Sequence, residues 1–278
     1  MPKRDSRSLI HKSKSGFTLI EVMLVLGITG LMLVGVLGGT FVSISSQRYS
    51  DSLRGFAEYM RSIYSEVLSP QSLASSETAD DIGNSSDYAI LGKVIVFGHD
   101  GSDTIYSATL VGNPKANNEK GQSFIQEITN TDSAATNTSI FCGQGSRPSS
   151  VQPYTPLWEA KLAQANGIPS GAHYADPFTG TMIIARTPTS GTVHTIFAPG
   201  KTYDLGGDCA SANTRFRDDL LAQHNHYDTF YTSDQPTGIC VVSDNSAVHR
   251  EVRIAADGRN TSAVWLRQDN EDNRCRPE

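Results

Sequence analysis

Apolar positions fall into three patterns along the chain. From Phe17 to Ile44 the sequence FTLIEVMLVLGITGLMLVGVLGGTFVSI is apolar on every side, and its only charged residue is Glu21. As a helix this run is long enough to cross a hydrocarbon core about 30 Å thick. Beyond it, Leu53, Phe56, Ala57, Met60, Ile63, Tyr64, Val67 and Leu68 recur at spacings of three and four. That spacing predicts a one-sided helix with a buried stripe, leaving Arg54, Glu58, Arg61 and Glu66 elsewhere on the cylinder. Pro70 and the Ser-rich stretch after it end the pattern. The two patterns join into one predicted helix from Phe17 to Leu68, 52 residues long.

The third pattern is a series of short apolar runs with strand character. Strands are predicted at Tyr88 to Phe97 and Thr104 to Val111, joined as a hairpin by Gly98-His99-Asp100-Gly101-Ser102-Asp103. Others are expected at Thr181 to Arg186, Val193 to Phe197, Ile239 to Ser243, Val248 to Ala255 and Ser262 to Arg267. The last three read as a meander with a turn at Asp257-Gly258. Residues 71–87 read as a linker or surface loop. The stretch from Asn113 to Phe178, rich in Asn, Ser, Pro and Gly, shows only short apolar pieces at Phe124 to Ile128 and Trp158 to Ala165. No internal repeat is visible.

Charge sharpens this division. The first sixteen residues carry Lys3, Arg4, Arg7, Lys12 and Lys14 against Asp5, a local charge of +4 in a chain of −6, so the remainder is −10. A body that acidic repels phosphate backbones, which disfavours general nucleic-acid binding. Basic residues directly before an apolar span favour the cytoplasmic side, which places residues after about Ile44 outside the cytoplasm. Ser and Thr (55) outnumber all charged residues (52), so the body is polar through hydroxyls rather than charges. This composition suits an anchored extracytoplasmic protein and argues against an ordinary cytosolic enzyme.

Cys142, Cys209, Cys240 and Cys275 all fall on the side assigned outside. Their even number and the absence of Cys-x-x-Cys favour disulfides over a zinc or redox site. Three connectivities are open, and four free thiols are the alternative; we favour Cys240 with Cys275 and Cys142 with Cys209.

The apolar run differs from an ordinary secretory signal, because it exceeds 7 to 15 residues and no A-x-A site follows it. A carboxylate at Glu21 is costly inside a bilayer, on the order of 2.5–3.5 kcal/mol at its centre and less near the edge. No cationic residue lies between Phe17 and Gln47, so a fixed ionic partner for Glu21 must come from elsewhere.

The stretch Gly16-Phe17-Thr18-Leu19-Ile20-Glu21, with a basic leader before it and an apolar helix after it, resembles the class III signal of type IV prepilins and type II secretion pseudopilins. The resemblance implies cleavage between Gly16 and Phe17 by a membrane-embedded prepilin peptidase and methylation of the new Phe17 amine. It assigns Glu21 to assembly, paired with the Phe17 amine of a neighbouring subunit. It also implies an α+β, pilin-like fold: a long helix packed through its outer half on an antiparallel sheet, a lollipop shape. The expected segments are a leader over 1–16, a membrane or filament-core half over 17–44, an amphipathic half over 45–69 and a globular head over 70–278. In two respects the chain departs from the family: the leader is long, and Gly38-Gly39 stand where many members carry a helix proline.

The closing strands, Cys240-Val241-Val242-Ser243, Arg250-Glu251-Val252-Arg253-Ile254 and Gly258-Arg259, are similar to those of H-type pseudopilins and FimT-like minor pilins. Some of these hold DNA with a Gly-Arg-x-Arg loop. Here the loop reads Gly258-Arg259-Asn260-Thr261 and lacks the second arginine; Arg250, Arg253 and Arg259 could still form a small patch, but exposed strand arginines are usually solvated edge residues, so DNA contact is disfavoured.

Other candidate chemistry is sparse. His224-Asn225-His226-Tyr227-Asp228 offers two histidines at i and i+2 but no further zinc ligands. Asp218-Asp219 and Asp80-Asp81 could contribute oxygens to a structural calcium, yet no EF-hand loop is present. No cofactor is expected. No Gly-x-Ser-x-Gly elbow, P-loop or His-Glu-x-x-His occurs, so no enzyme activity is expected. The sequence reads as a pilin-like subunit, with other pilins, the prepilin peptidase and the membrane as partners. A mature length of 262 residues favours a minor pilin displayed at the cell surface, for adhesion, motility or DNA uptake. The alternatives are a secretion pseudopilin and a non-polymerising anchored adhesin or receptor.

Overall fold

The computed structural model describes residues 16–69, 89–112, 138–143, 149–165, 177–186, 191–225, 237–243, 250–255, 259–267 and 275. The chain divides into two compact units, Met1–Ser46 and Gln47–Glu278. One helix, α1 (Leu19–Leu68), contributes to both. Among the described residues it is followed by ten strands, three short 3-10 turns and a further helix, α2 (Cys209–Asn225), giving a long helix with antiparallel sheets.

In the first unit α1 is bare. Phe17, Leu19, Ile20 and the large apolar residues through Ile44 are exposed wherever their side chains are described. The hydroxyls in this run turn inward on their own backbone: Thr29 donates to the Val25 and Leu26 carbonyls and Thr40 to the Leu37 carbonyl. These threonines therefore need no polar partner from outside the helix.

In the second unit two sheets surround the rest of α1. The larger sheet has the order β3 (Thr138–Ile140), β2 (Ile105–Gly112), β1 (Ala89–Phe97), β6 (Gly180–Arg186), β7 (Val193–Pro199), with β4 (Gln152–Tyr154) also paired to β2. The smaller has the order β10 (Val264–Leu266), β9 (Arg250–Ile254), β8 (Thr237–Val242), β5 (Lys161–Gln164). Every pairing is antiparallel. The expected hairpin is β1 and β2 around a 3-10 turn, His99–Gly101, entered through Gly98 at φ 63°. A side chain at Gly98 would also meet the Phe178 carbonyl, so glycine serves both the turn and the close approach.

The predicted stripe closes the first core. Leu53, Phe56, Ala57, Met60, Ile63, Tyr64 and Val67 are buried with Ile95, Phe97, Met182 and Ile184 of the larger sheet and Ile239, Val241, Val252, Ile254 and Val264 of the smaller. Leu68 does not belong to the stripe, being exposed at the last position of the helix. Tyr49 extends it one turn earlier than expected, donating its hydroxyl to the Val241 carbonyl at 3.0 Å. Arg61 reaches the Val264 carbonyl, and Lys93 of β1 pairs with Glu66 at 3.0 Å.

A second core covers the opposite face of the larger sheet. In β1, Val94 and Val96 point to this side while Ile95 and Phe97 point to α1, and β6 alternates likewise with Ile183 and Ala185 against Met182 and Ile184. A strand buried on both faces must be apolar at every position, which explains the unbroken run Val94-Ile95-Val96-Phe97. The cover is α2, through Ala212, Phe216 and Leu220, with Tyr203 and Leu205 from the segment before it. Asp208 caps α2, accepting from the Ser211 amide and hydroxyl, and those two bonds hold its carboxyl below the usual range.

Cys142 is bonded to Cys209, linking the chain after β3 to the start of α2. Cys240 of β8 is bonded to Cys275. With separations of 67 and 35 residues, each bridge stabilises by about 4 kcal/mol in the chain-entropy picture.

The cores hold neutral phenols that make the unit alkali-sensitive. Burial pushes Tyr59 from 10.0 up to about 12 and also raises Tyr64 and Tyr203. The folded state keeps protons that the unfolded chain releases above pH 10.0, so this contribution is complete below that pH and is lost as pH rises beyond it. Near-ultraviolet circular dichroism is expected to show loss of tertiary structure as pH rises from 10 toward 12. Reversible ionisation of Tyr59, Tyr64 and Tyr203 themselves near 10.0 with an intact fold would contradict this.

Candidate functional site: the start of the apolar helix

Gly16, Phe17 and Thr18 precede the helix, which begins at Leu19 rather than at Phe17. The reason is a reciprocal cap. The Glu21 amide donates to the Thr18 hydroxyl at 3.3 Å, while the Glu21 carboxylate accepts from the Thr18 amide at 3.1 Å and from its hydroxyl at 3.2 Å. Thr18-Leu19-Ile20-Glu21 is thus a capping box, with the carboxylate placed at the positive end of the helix dipole. Its motif, Thr-x-x-Glu, was present in the sequence, where the charge of Glu21 drew attention to a distant partner. The carboxylate already has a local, uncharged one.

The cap leaves an accessible junction. Phe17 is 83% exposed, and Gly16 beside it is exposed, with nothing among the described residues within 4 Å of where a side chain would stand. An open glycine-phenylalanine bond, an acidic side chain four residues on, and an uncovered apolar helix thus adjoin one another. By length and composition α1 can cross a membrane.

Residues 11–37 match the family described as the prokaryotic N-terminal methylation motif. This amino terminus is the class III signal of type IV pilins and pseudopilins. No curated protein and no solved structure matches the chain. The class III signal and the apolar helix after it support a membrane-anchored precursor of the pilin and pseudopilin type.

The remaining candidates lie elsewhere in the fold. Arg253 is no solvated strand residue: it pairs with the buried Glu251 at 2.9 Å, and Arg267 joins the same carboxylate at 3.2 Å. A strand carboxylate flanked by arginines looks solvent-facing in sequence, so its burial was not legible. Arg259 is exposed, Arg250 is half-buried, and Gly258 lies outside the described residues.

Asp219 accepts from the Tyr203 hydroxyl at 2.8 Å and lies 3.5 Å from the Lys201 ammonium. Asp218 is exposed on the same helix, while Asp80 and Asp81 lie outside the described residues. His224 ends up in α2, and His226, Tyr227 and Asp228 also lie outside them. Among the described residues no group of three His, Cys, Asp or Glu side chains could hold a metal ion.

Proposed function

We propose that this chain is a minor type IV pilin, trimmed between Gly16 and Phe17 by a prepilin peptidase, methylated on the Phe17 amine, and drawn from the membrane into a filament. The observation that carries the reading is the open Gly16-Phe17 junction at the start of an uncovered apolar helix within a methylation motif. Lipid covers the helix in the precursor, and neighbouring helices replace it in the filament, so one apolar surrounding is exchanged for another. Glu21 pairs with the Phe17 amine of the next subunit and sets the register.

The body supports a specialised rather than a bulk subunit, since it carries a second sheet and a second helix-covered core. It displays a ligand-binding head at the cell surface for adhesion, motility or DNA uptake, and holds no cofactor.

The test is the amino terminus of the mature protein. In cells with the peptidase, mass spectrometry is expected to find a chain beginning at methylated Phe17. In cells lacking it, the chain is expected to retain its leader and stay out of sheared fibres. A mature terminus that is the same in both cells would overturn the reading and leave an anchored, non-polymerising receptor.

A further inference from the structure

An aromatic strap runs along the second unit's part of α1. Tyr154 of β4 stacks on Tyr59 at 3.9 Å between ring centroids. Leu157 and Tyr154 lie over Gly55, 3.5 and 3.7 Å from where its side chain would stand. Trp158 then packs under the Arg48 guanidinium, 4.8 Å from ring centroid to carbon. From Tyr59 to Arg48 the contacts step back toward the apolar end of the helix, by roughly 16 Å at 1.5 Å per residue.

The end of this strap is built against local preference. Leu157 and Trp158 are large apolar residues, yet they are 50% and 53% exposed. Trp158 adopts φ 58°, ψ 40° and Glu159 φ 56°, a left-handed conformation that bulky side chains avoid. Two consecutive strained residues thus hold a tryptophan outward, with a cation on its face.

Chain connectivity bounds its distance from the apolar run. Arg48 follows Ile44, the last residue of the apolar run, by four residues of the same helix, a rise of about 6 Å. Even a fully extended chain would hold the two backbones within about 14 Å. The headgroup layer outside the hydrocarbon is about 5–8 Å thick on each side, and an arginine side chain reaches across such a layer. Tryptophan favours that layer, with its ring against lipid and its N–H in water, and a guanidinium meets anionic phosphate there.

We propose that Trp158, Leu157 and Arg48 form a headgroup-docking patch that rests the body on the outer membrane-water interface while the subunit is still membrane-held. The apolar pair enters the interface and Arg48 binds lipid phosphate. The proposal rests on the membrane residence of the apolar helix.

The experiment uses the full chain inserted into vesicles of phosphatidylethanolamine and phosphatidylglycerol doped with lipid carrying a nitroxide on its headgroup. Trp265→Phe leaves Trp158 as the only tryptophan, and Trp158→Phe leaves Trp265, which is 38% exposed and serves as the reference. Trp158 emission is expected to be quenched at least about twofold more strongly than Trp265, as residence in the headgroup layer requires. Arg48→Gln is expected to reduce that quenching, with far-ultraviolet circular dichroism unchanged. Flotation of the chain with vesicles reports insertion separately. Insertion with equal quenching of both tryptophans overturns the patch alone. Protection of Trp158 that arises only when chains associate in lipid-free detergent assigns the patch to a second copy and overturns lipid docking. Failure to insert overturns the membrane reading and this one with it.

Discussion

Replacing Glu251 with alanine is expected to destabilise the sheet-bearing unit by about 3–5 kcal/mol, the usual cost of removing one partner from a buried ion pair. The Glu251 side chain is fully buried, with Arg253 at 2.9 Å and Arg267 at 3.2 Å, and those arginines are only 17% and 11% exposed. Without the carboxylate, two guanidinium groups, one on β9 and one just after β10, are left with little water to screen them. Gly238, on β8, makes room for this carboxylate, because a side chain there would collide with it. Gly238→Ala should therefore destabilise in the same direction. Trp265 pairs with Arg253 across the sheet, so its fluorescence during denaturant unfolding reports on the affected strands. A loss below about 1 kcal/mol for Glu251→Ala, the range of exposed pairs, would show that the arginines find water and that the cluster is not what joins β9 to β10.

At Glu21 the expected loss is in assembly rather than folding, and the capping box allows its two roles to be separated. Glutamine also completes a capping box, so Glu21→Gln keeps the helix start while removing the charge that would meet the neighbouring Phe17 amine. Loss of a charge-assisted bond of about 1.5–3 kcal/mol lowers incorporation into filaments roughly 10- to 100-fold. Thr18→Val does the converse, removing the capping hydroxyl and leaving the carboxylate; it is expected to fray the first turn by about 1 kcal/mol with incorporation largely kept. Both variants should insert into membranes normally. Sheared fibres quantified by immunoblot against the membrane pool provide the measurement. Wild-type incorporation of Glu21→Gln, or a greater defect in Thr18→Val, would make the cap and not the charge the important feature.

The legible parts of this fold share one property: their apolar residues are dense enough to show a period. The α1 stripe from Leu53 to Val67 and the strands β1, β2, β6 and β7 through β10 all lie close to where their periodicity placed them. Helix α2 was missed because only Ala212, Phe216 and Leu220 of its 17 residues are buried where burial is described, a stripe too thin to stand out from polar loop. Its clearest signal was the cap at Asp208. Strands β3 and β4 have three residues each, too few for alternation to be counted. The piece from Trp158 to Ala165 merged two environments, the exposed turn at Leu157–Glu159 and the paired strand β5, because apolar character alone does not distinguish a core residue from one held outward. At the candidate site the Gly16, Phe17 and Glu21 pattern was plain in sequence, whereas the Thr18 contacts depend on a side-chain geometry that periodicity does not describe.

The ties between α1 and the closing strands have a consequence for biogenesis. Tyr49 is bonded to a carbonyl 192 residues further along the chain, and Arg61 to one 203 residues further. At typical synthesis rates those partners are made roughly 10–40 s after the helix itself. Until then the stripe from Tyr49 to Val67 lacks β8, β9 and β10 of the smaller sheet to cover it. The first element to emerge is thus the last to be sealed, so folding of this unit cannot run ahead of synthesis of its carboxyl-terminal quarter. A chaperone or protease would find its opening in that delay, and truncations near the carboxyl terminus should be cleared even though every residue of the apolar helix is intact.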